Sequence, residues 1–465
     1  MALDITRQRN DFLLLAWLFL WELCIAAIAM ALYMKGERSF TAFLLSKPGM
    51  MLLGATVGFV IGGAVISSQY LAYKRASSPH FSLIITMNLI TMMLILLTGE
   101  VLTRTLSRSS IEGDILGRRT LIPKSWNTLA RHNQRVLNEA RSRPTFYVYD
   151  SLLGWTLGRN RRSVNGLYYS SFEGMRAPHE GVTFSKTSQK KRIALVGDSY
   201  TFGEDVAYED SWGYRLEKAL GPEFEVLNFG VPGYGVDQAY LRYEKDVREW
   251  KPKIVILSFI GHDTERTMTV YTPLNYPDWD MPFSKPRFIL RDGDLRKINV
   301  PPIEPEAIFS RRSISELPFL EYDRGYKKRE WQTSFPHHSY LARAFMTWFP
   351  RPETILDDVS DDALISVNAS ILKAFVASAD QIGATPIVLY HPKRAFESNS
   401  SLSKRVLQEA GVSYTEPTPC LQKLDASEWF FTPPAGVHYT PRGNAAVAKC
   451  LVDTVRQALA QSSLS

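Results

Sequence analysis

RIALVGDSYTFGEDV, residues 192–206, runs an apolar strand directly into the tripeptide Gly197-Asp198-Ser199. A serine so placed stands where a sheet gives way to a turn. At the carboxyl end of a parallel strand its hydroxyl is exposed at the rim, and the following helix aims backbone N–H groups at any negative charge that develops there. A nucleophile fits that position, and so does a plain turn serine, so the tripeptide alone decides nothing.

Two further apolar strands follow, FEVLNFG from 224 and KIVILSF from 253. An amphipathic helix is predicted over 212–220, between the first two strands, and another over 236–250, between the second and third. That is the beat of βαβ units. A later unit repeats it, with a helix over 362–382, the strand TPIVLYH from 385, a helix near 402–410 and a short strand near 412–415. Thr440-Pro441 opens the final helix, threonine as its cap and proline in its first turn, and Val447, Leu451, Val455 and Leu459 mark its buried face. The expected fold is α/β, a parallel sheet with helices on both faces, three layers in all. Residues 264–360 break the rhythm with stretches such as YTPLNYPDWDMPFSKPRF and NVPPIEPEAIF, which exclude long helices. An irregular insertion of that length is either a lid or subdomain that contacts substrate or a partner, or a packed extension.

The amino-terminal part is of another kind. Residues 12–34, 48–73 and 81–102 are long apolar runs, each near the ~20 residues a helix needs to cross a bilayer. They predict a three-helix transmembrane domain over 1–103, a basic connector over 104–143 and an extramembrane domain over 144–465. No small-residue cleavage site follows Met34, so the first run reads as an anchor and not as a signal peptide. Glu22 inside it calls for a neighbouring helix. Gly54, Gly58, Gly62 and Gly63 in the second run supply a close-packing face. Arg7, Arg9, Lys74 and Arg75 outnumber Lys35, Arg38 and Lys47 on the opposite side, which puts the amino terminus in the cytoplasm and the large domain outside it.

The formal charge of +7 is spread through the chain. Basic residues near the membrane suit anionic headgroups, and without a basic stripe interleaved with aromatics nucleic acid is excluded as a partner. Of three cysteines, Cys24 lies in the first apolar run, while Cys420 and Cys450 either pair in an oxidising compartment or stay as two buried thiols. No His, Cys, Asp and Glu cluster has metal-ligand spacing, and no cofactor is expected.

Acyl transfer from an ester requires a nucleophile, a base and N–H donors aimed at the oxyanion. Ser199 is the candidate nucleophile, and its own N–H a first donor. Gly233 in NFGVPGYG brings an N–H close because no side chain blocks approach, or serves only a tight turn. IGHD ends the third strand and puts His262 and Asp263 at the same rim. GVHYTPRGN sets His438 before the last helix. Asp198 organises the turn around the serine.

With these residues in view, the part from about 144 to 462 resembles the SGNH hydrolase superfamily, the GDSL-type esterases. Gly197, Asp198 and Ser199 match its nucleophile block, Asn228 to Gly233 its second block in spacing, and His438 its terminal histidine. LGWTLGRNRRSVNG and FEGMR are similar to the leader of membrane-anchored bacterial members. The resemblance implies Ser199 as nucleophile, His438 as base and Gly233 as oxyanion donor. It also implies acyl or acetyl esters on glycans or lipid-linked carriers as substrates. Two positions depart from the pattern. His262 replaces the asparagine that completes the oxyanion hole, and Ala435 replaces the aspartate that orients the histidine. Glu416, Asp425, Glu428 and Asp263 are carboxylates that in principle stand in for it, none at the family spacing. The expected function is a membrane-anchored serine esterase or O-acyltransferase. The rival is a catalytically impaired domain that binds a glycan or an envelope-assembly partner.

Overall fold

The computed structural model describes residues 81–350, 356–391 and 400–462. The expectations for 12–34 and 48–73, with Glu22, Cys24 and the four glycines, lie outside the described residues. The described residues divide into two compact units, one of 81–128 with 328–350, the other of 129–327 with 356–391 and 400–462.

The larger unit holds a five-stranded sheet: β1 (Lys191–Val196), β2 (Phe224–Asn228), β3 (Ile254–Phe259), β4 (Thr385–Tyr390) and β5 (Tyr414–Thr415). Their spatial order is β5-β4-β3-β1-β2, and each neighbouring pair is parallel. Strands buried on both faces read as continuous apolar runs, and β3 is buried at all six positions. Alternation sorts them between two cores. Ala194, Val196, Val255 and Leu257 face the helices Val236–Arg242 and Asp361–Gln381, while Ile193, Leu195, Ile254 and Ile256 face Trp212–Leu220 and Pro441–Ser462. Val447, Leu451 and Val455 are buried in the second core and Leu459 packs at its edge. Each fully buried side chain of this size contributes roughly 1.5–3 kcal/mol.

Helix starts follow local chemistry. Ser211 Oγ accepts the Tyr214 N–H, Ser360 accepts that of Ala363, and Thr440 Oγ1 accepts that of Gly443 at 3.0 Å, each satisfying an N–H that the first helical turn leaves open. The helical stretch 236–250 is α only to Arg242 and continues as a π turn and a 3₁₀ turn. Cys420 and Cys450 form a disulfide that ties Thr418–Leu421 to the last helix.

The smaller unit contains the helix Phe81–Leu106, a three-stranded antiparallel meander over 108–120 and the helix Tyr340–Trp348. Tyr340, Ala344 and Trp348 pack there on Leu116 and Leu121. The insertion 264–360 is therefore divided: 328–352 groups with this unit, and the part before it stays with the sheet, carrying an antiparallel hairpin of Arg287–Arg291 and Asp294–Ile298. The expected connector 104–143 holds the end of one helix, the meander and the helix Trp126–Ser142.

Among the described residues two helices are long and apolar enough to cross a bilayer. Asp361–Gln381 is 56% buried and packs under the sheet, as a core helix does. Asn88–Leu106, with mean hydropathy 1.6, is only 6% buried.

Candidate active site

β1 ends at Val196 and a single helical turn, Ser199–Phe202, begins. The sheet order reverses between β1 and β3, and in open α/β sheets ligands bind outside the carboxyl ends of strands at that switch. Gly197 is required by contact. A Cβ there would collide with the carbonyl of Ser258 and the side chain of Thr201. Asp198 is the cap, its carboxylate accepting the N–H of Tyr200 at 2.9 Å and of Thr201 at 3.4 Å. Ser199 is 4% exposed, and its N–H, first in the helix, has no intrahelical acceptor.

The hydroxyl of Ser199 lies 2.9 Å from His438 Nε2, and His438 Nδ1 lies 2.8 Å from Asp205 Oδ2. A carboxylate only accepts, so Nδ1 carries the proton and Nε2 is left to accept from the serine. None of the four carboxylates considered from sequence occupies this place. Asp263 pairs with Arg266 at 2.6 Å, Glu428 pairs with Arg442 and takes the Asp425 N–H, and Glu416 accepts from Thr418. The carboxylate in that place is Asp205, within the stretch that holds the serine. Gly203 ends the helical turn at φ 79° and Asp205 follows at φ 68°, so two left-handed residues fold the chain back beside Ser199. Asp205 also accepts the N–H groups of Val437 at 2.8 Å and His438 at 3.2 Å. Gly436 permits this approach, since a Cβ there would stand 2.5 Å from Asp205 Oδ2.

Electrostatics follow the contacts. Burial alone would raise the Asp205 pKa, but the bonds from the His438 ring and from the Val437 and His438 amides prevail and hold it at about 2. Burial would lower that of His438, yet its bond to Asp205 and the charges of Glu204, Asp205 and Asp198 raise it. Glu204 is a second carboxylate absent from the sequence reading. Its Oε2 is 3.5 Å from His438 Nε2, and burial raises its pKa.

Asn228 holds the turn after β2, donating to the Thr201 carbonyl at 2.8 Å and accepting the Gly230 N–H at 2.9 Å. Gly233 follows at φ 84°, between the rings of Trp279 and Trp155. His262 stands half-buried in the first turn of Gly261–Arg266, after β3. Asp263 lies inside the fold. Its carboxyl, buried and pushed well up in pKa, accepts the Ile260 N–H at 3.0 Å. Arg266 links Asp263 to Asp198, 3.8 Å away, and lies 5.1 Å beneath the Trp279 ring. Thus the structure joins Ser199 and His438 directly, and carries Gly233 in the loop after β2 and His262 in the first helical turn after β3.

A cavity of about 770 Å³ adjoins this edge. Glu204 and Trp279 line it, tying it to His438 and to Gly233; its aromatic wall includes Phe146, Tyr147, Tyr168 and Phe283. Among the described residues no group of His, Cys, Asp and Glu is arranged to hold a metal ion.

No family model matches the chain, and no curated protein matches it. Solved structures similar to it include a putative lipolytic protein of the G-D-S-L family from Desulfitobacterium hafniense, 14% identical, with 57% of this chain and 99% of that one covered at a TM-score of 0.29. A lipase/acylhydrolase from Enterococcus faecalis is 12% identical, with 57% and 96% covered at 0.30. A catalytic mutant of an acetylxylan esterase from Geobacillus stearothermophilus is 12% identical, with 58% and 96% covered at 0.30. At these identities and scores the likeness adds no weight to the geometry.

Proposed function

We propose that the chain is a membrane-anchored serine esterase or O-acyltransferase of the SGNH type, acting outside the cytoplasm on acyl or acetyl esters of glycans or lipid-linked carriers. The observation that carries this reading is the unbroken line from Ser199 Oγ through His438 to Asp205, at 2.9 and 2.8 Å. Ser199 Oγ attacks the ester carbonyl while His438 Nε2 takes its proton, and the imidazolium is stabilised through Nδ1 by Asp205. The oxyanion is met by the N–H of Ser199 and of Gly233, with His262 as the third donor. Collapse expels the alcohol, which leaves with the proton from His438, and an acyl-serine remains. Water or an acceptor hydroxyl then attacks the acyl carbon, giving up its proton to His438; the bond from that carbon to Ser199 Oγ breaks, His438 returns the proton to Oγ, and the acid or the new ester leaves.

The reading of an impaired domain loses its main support, because Asp205 supplies the carboxylate that Ala435 lacks. The exposed apolar helix Asn88–Leu106 supports anchoring, and the Cys420–Cys450 disulfide supports an oxidising compartment. The cavity supports a substrate larger than an acetyl group, its aromatic wall suited to sugar rings or apolar chains.

Labelling with a fluorophosphonate, together with turnover of short-chain aryl esters, tests the proposal. Labelling and turnover that vanish in Ser199→Ala support it, and equal turnover by both proteins overturns it.

A further inference from the structure

We propose that residues 335–349 form a second membrane-contacting element, an interfacial segment that lays Phe335, Phe345 and Phe349 against lipid at the end of the span Asn88–Leu106. The proposal rests on the reading of that helix as membrane-spanning. Glu100 lies near the end of the helix, about 9 Å from Leu106 at 1.5 Å per residue, where a bare carboxylate is costly in hydrocarbon. It is not bare. It accepts the Ser339 hydroxyl at 2.7 Å and the N–H groups of Tyr340 at 3.0 Å and Leu341 at 2.9 Å, and it pairs with Arg104 at 2.5 Å. Arg104 donates in turn to the His338 carbonyl at 2.9 Å. Glu100 thus caps the helix Tyr340–Trp348 and fixes its first turn at its own depth. Gly99 leaves the space, since a Cβ there would stand 3.1 Å from Leu341.

At that same depth the spanning helix is still apolar and uncovered, with Val101 59% and Leu102 39% exposed. The docked helix has two apolar stripes at four-residue spacing. Tyr340, Ala344 and Trp348 are satisfied by Leu116 and Leu121. Leu341, Phe345 and Phe349 form the other. Leu341 touches Gly99, but Phe345, its ring 5.0 Å from that of Phe349, is 59% exposed, and Phe335 just ahead of the helix is 87% exposed. Between the stripes Arg343 turns inward to Asp114 at 2.6 Å and to the carbonyl of Ile122 at 3.1 Å. An aromatic stripe tied to the bare end of a span by the Glu100 carboxylate fits the bilayer interface, where aromatic side chains concentrate.

The test uses the full chain with Cys24→Ser, so that a single new cysteine takes an environment-sensitive fluorophore while Cys420 and Cys450 remain bonded. Phe345→Cys and Leu94→Cys are labelled and reconstituted into phosphatidylcholine and phosphatidylglycerol vesicles, with and without lipids bearing a nitroxide on the acyl chain. Both labels are expected to shift to the blue and to lose most of their emission to the nitroxide, position 345 chiefly to a shallow one. Quenching at 94 without quenching at 345 overturns the proposal while the span stands. A blue shift at 345 without quenching means that protein covers the stripe, and also overturns it. Absence of quenching at both positions overturns the span and the proposal together.

Discussion

Asp205 Oδ2 meets His438 Nδ1 at 2.8 Å from a position six residues beyond Ser199, just past the helical turn that the serine begins. The serine and the carboxylate therefore travel on one short segment, and the histidine loop closes onto both. Because the same oxygen also accepts the Val437 and His438 amides, Asp205 positions the loop as well as the ring. Asp205→Asn is expected to lower kcat by up to about 10⁴-fold through the wrong imidazole tautomer, with little change in KM. Steady-state kinetics on an aryl ester checks this, and an unchanged kcat would assign the acid role elsewhere.

Glu204 puts a second negative charge 3.5 Å from the nitrogen that faces the serine. In the proposed mechanism His438 must be neutral to act as base, and its raised pKa would place the acid limb of the rate profile above that of a free imidazole. Glu204→Gln removes one of the charges responsible, so the acid limb of kcat/KM is expected to move to lower pH. A pH–rate series on both proteins reads the direction, and a limb that stays in place or moves upward would contradict the assignment.

His391 is buried between Ser258 and Tyr439, its ring nitrogens 3.1 and 3.3 Å from their hydroxyls. Burial depresses its pKa from 6.5 to about 3. The unfolded chain therefore binds this proton more readily than the folded one. The contribution is complete above pH 6.5 and declines as pH falls towards 3, by at most about 1.4 kcal/mol per pH unit. His391→Gln keeps hydrogen-bonding capacity without the titration, and should flatten that part of the stability–pH curve. Urea midpoints across the interval measure it, and identical slopes in the two proteins would remove His391 as the cause.

The Cys420–Cys450 bond closes a loop with a sequence separation of 30, worth roughly 3–4 kcal/mol in the chain-entropy model. Cys420→Ser with Cys450→Ser should lower the unfolding midpoint while leaving turnover below that midpoint near its starting value, because neither cysteine touches Ser199 or His438. Thermal denaturation with parallel assays tests both halves, and a midpoint that does not move counts against the bond.

Local pattern carried much of this protein. Strand periodicity in 192–197, 224–228 and 253–259, the cap at Thr440, and the apolar spacing of the last helix each act within a few residues, where side-chain chemistry and backbone preference are enough to define an element. The serine was legible for the same reason, at the junction of a strand and a turn. The histidine was legible as a loop residue before a capped helix.

The carboxylate that meets the histidine was not, although it stood in the opening stretch. The resemblance points to the residue three before His438, and nothing in linear order says that Gly203 and Asp205 both adopt left-handed geometry and turn a carboxylate back beside its own serine. That orientation exists only once the loop Gly436–His438 presses its amides and ring onto Asp205. Glu204 came to His438 by the same turn. Likewise, composition marked 264–360 as one irregular insertion, but burial of Tyr340, Ala344 and Trp348 on Leu116 and Leu121 drew part of it into the other unit. Sequence alone thus determined the elements, whose energetics are local. Only the tertiary structure decided which distant groups share a proton, because that depends on backbone reversals stabilised by contacts between segments more than two hundred residues apart.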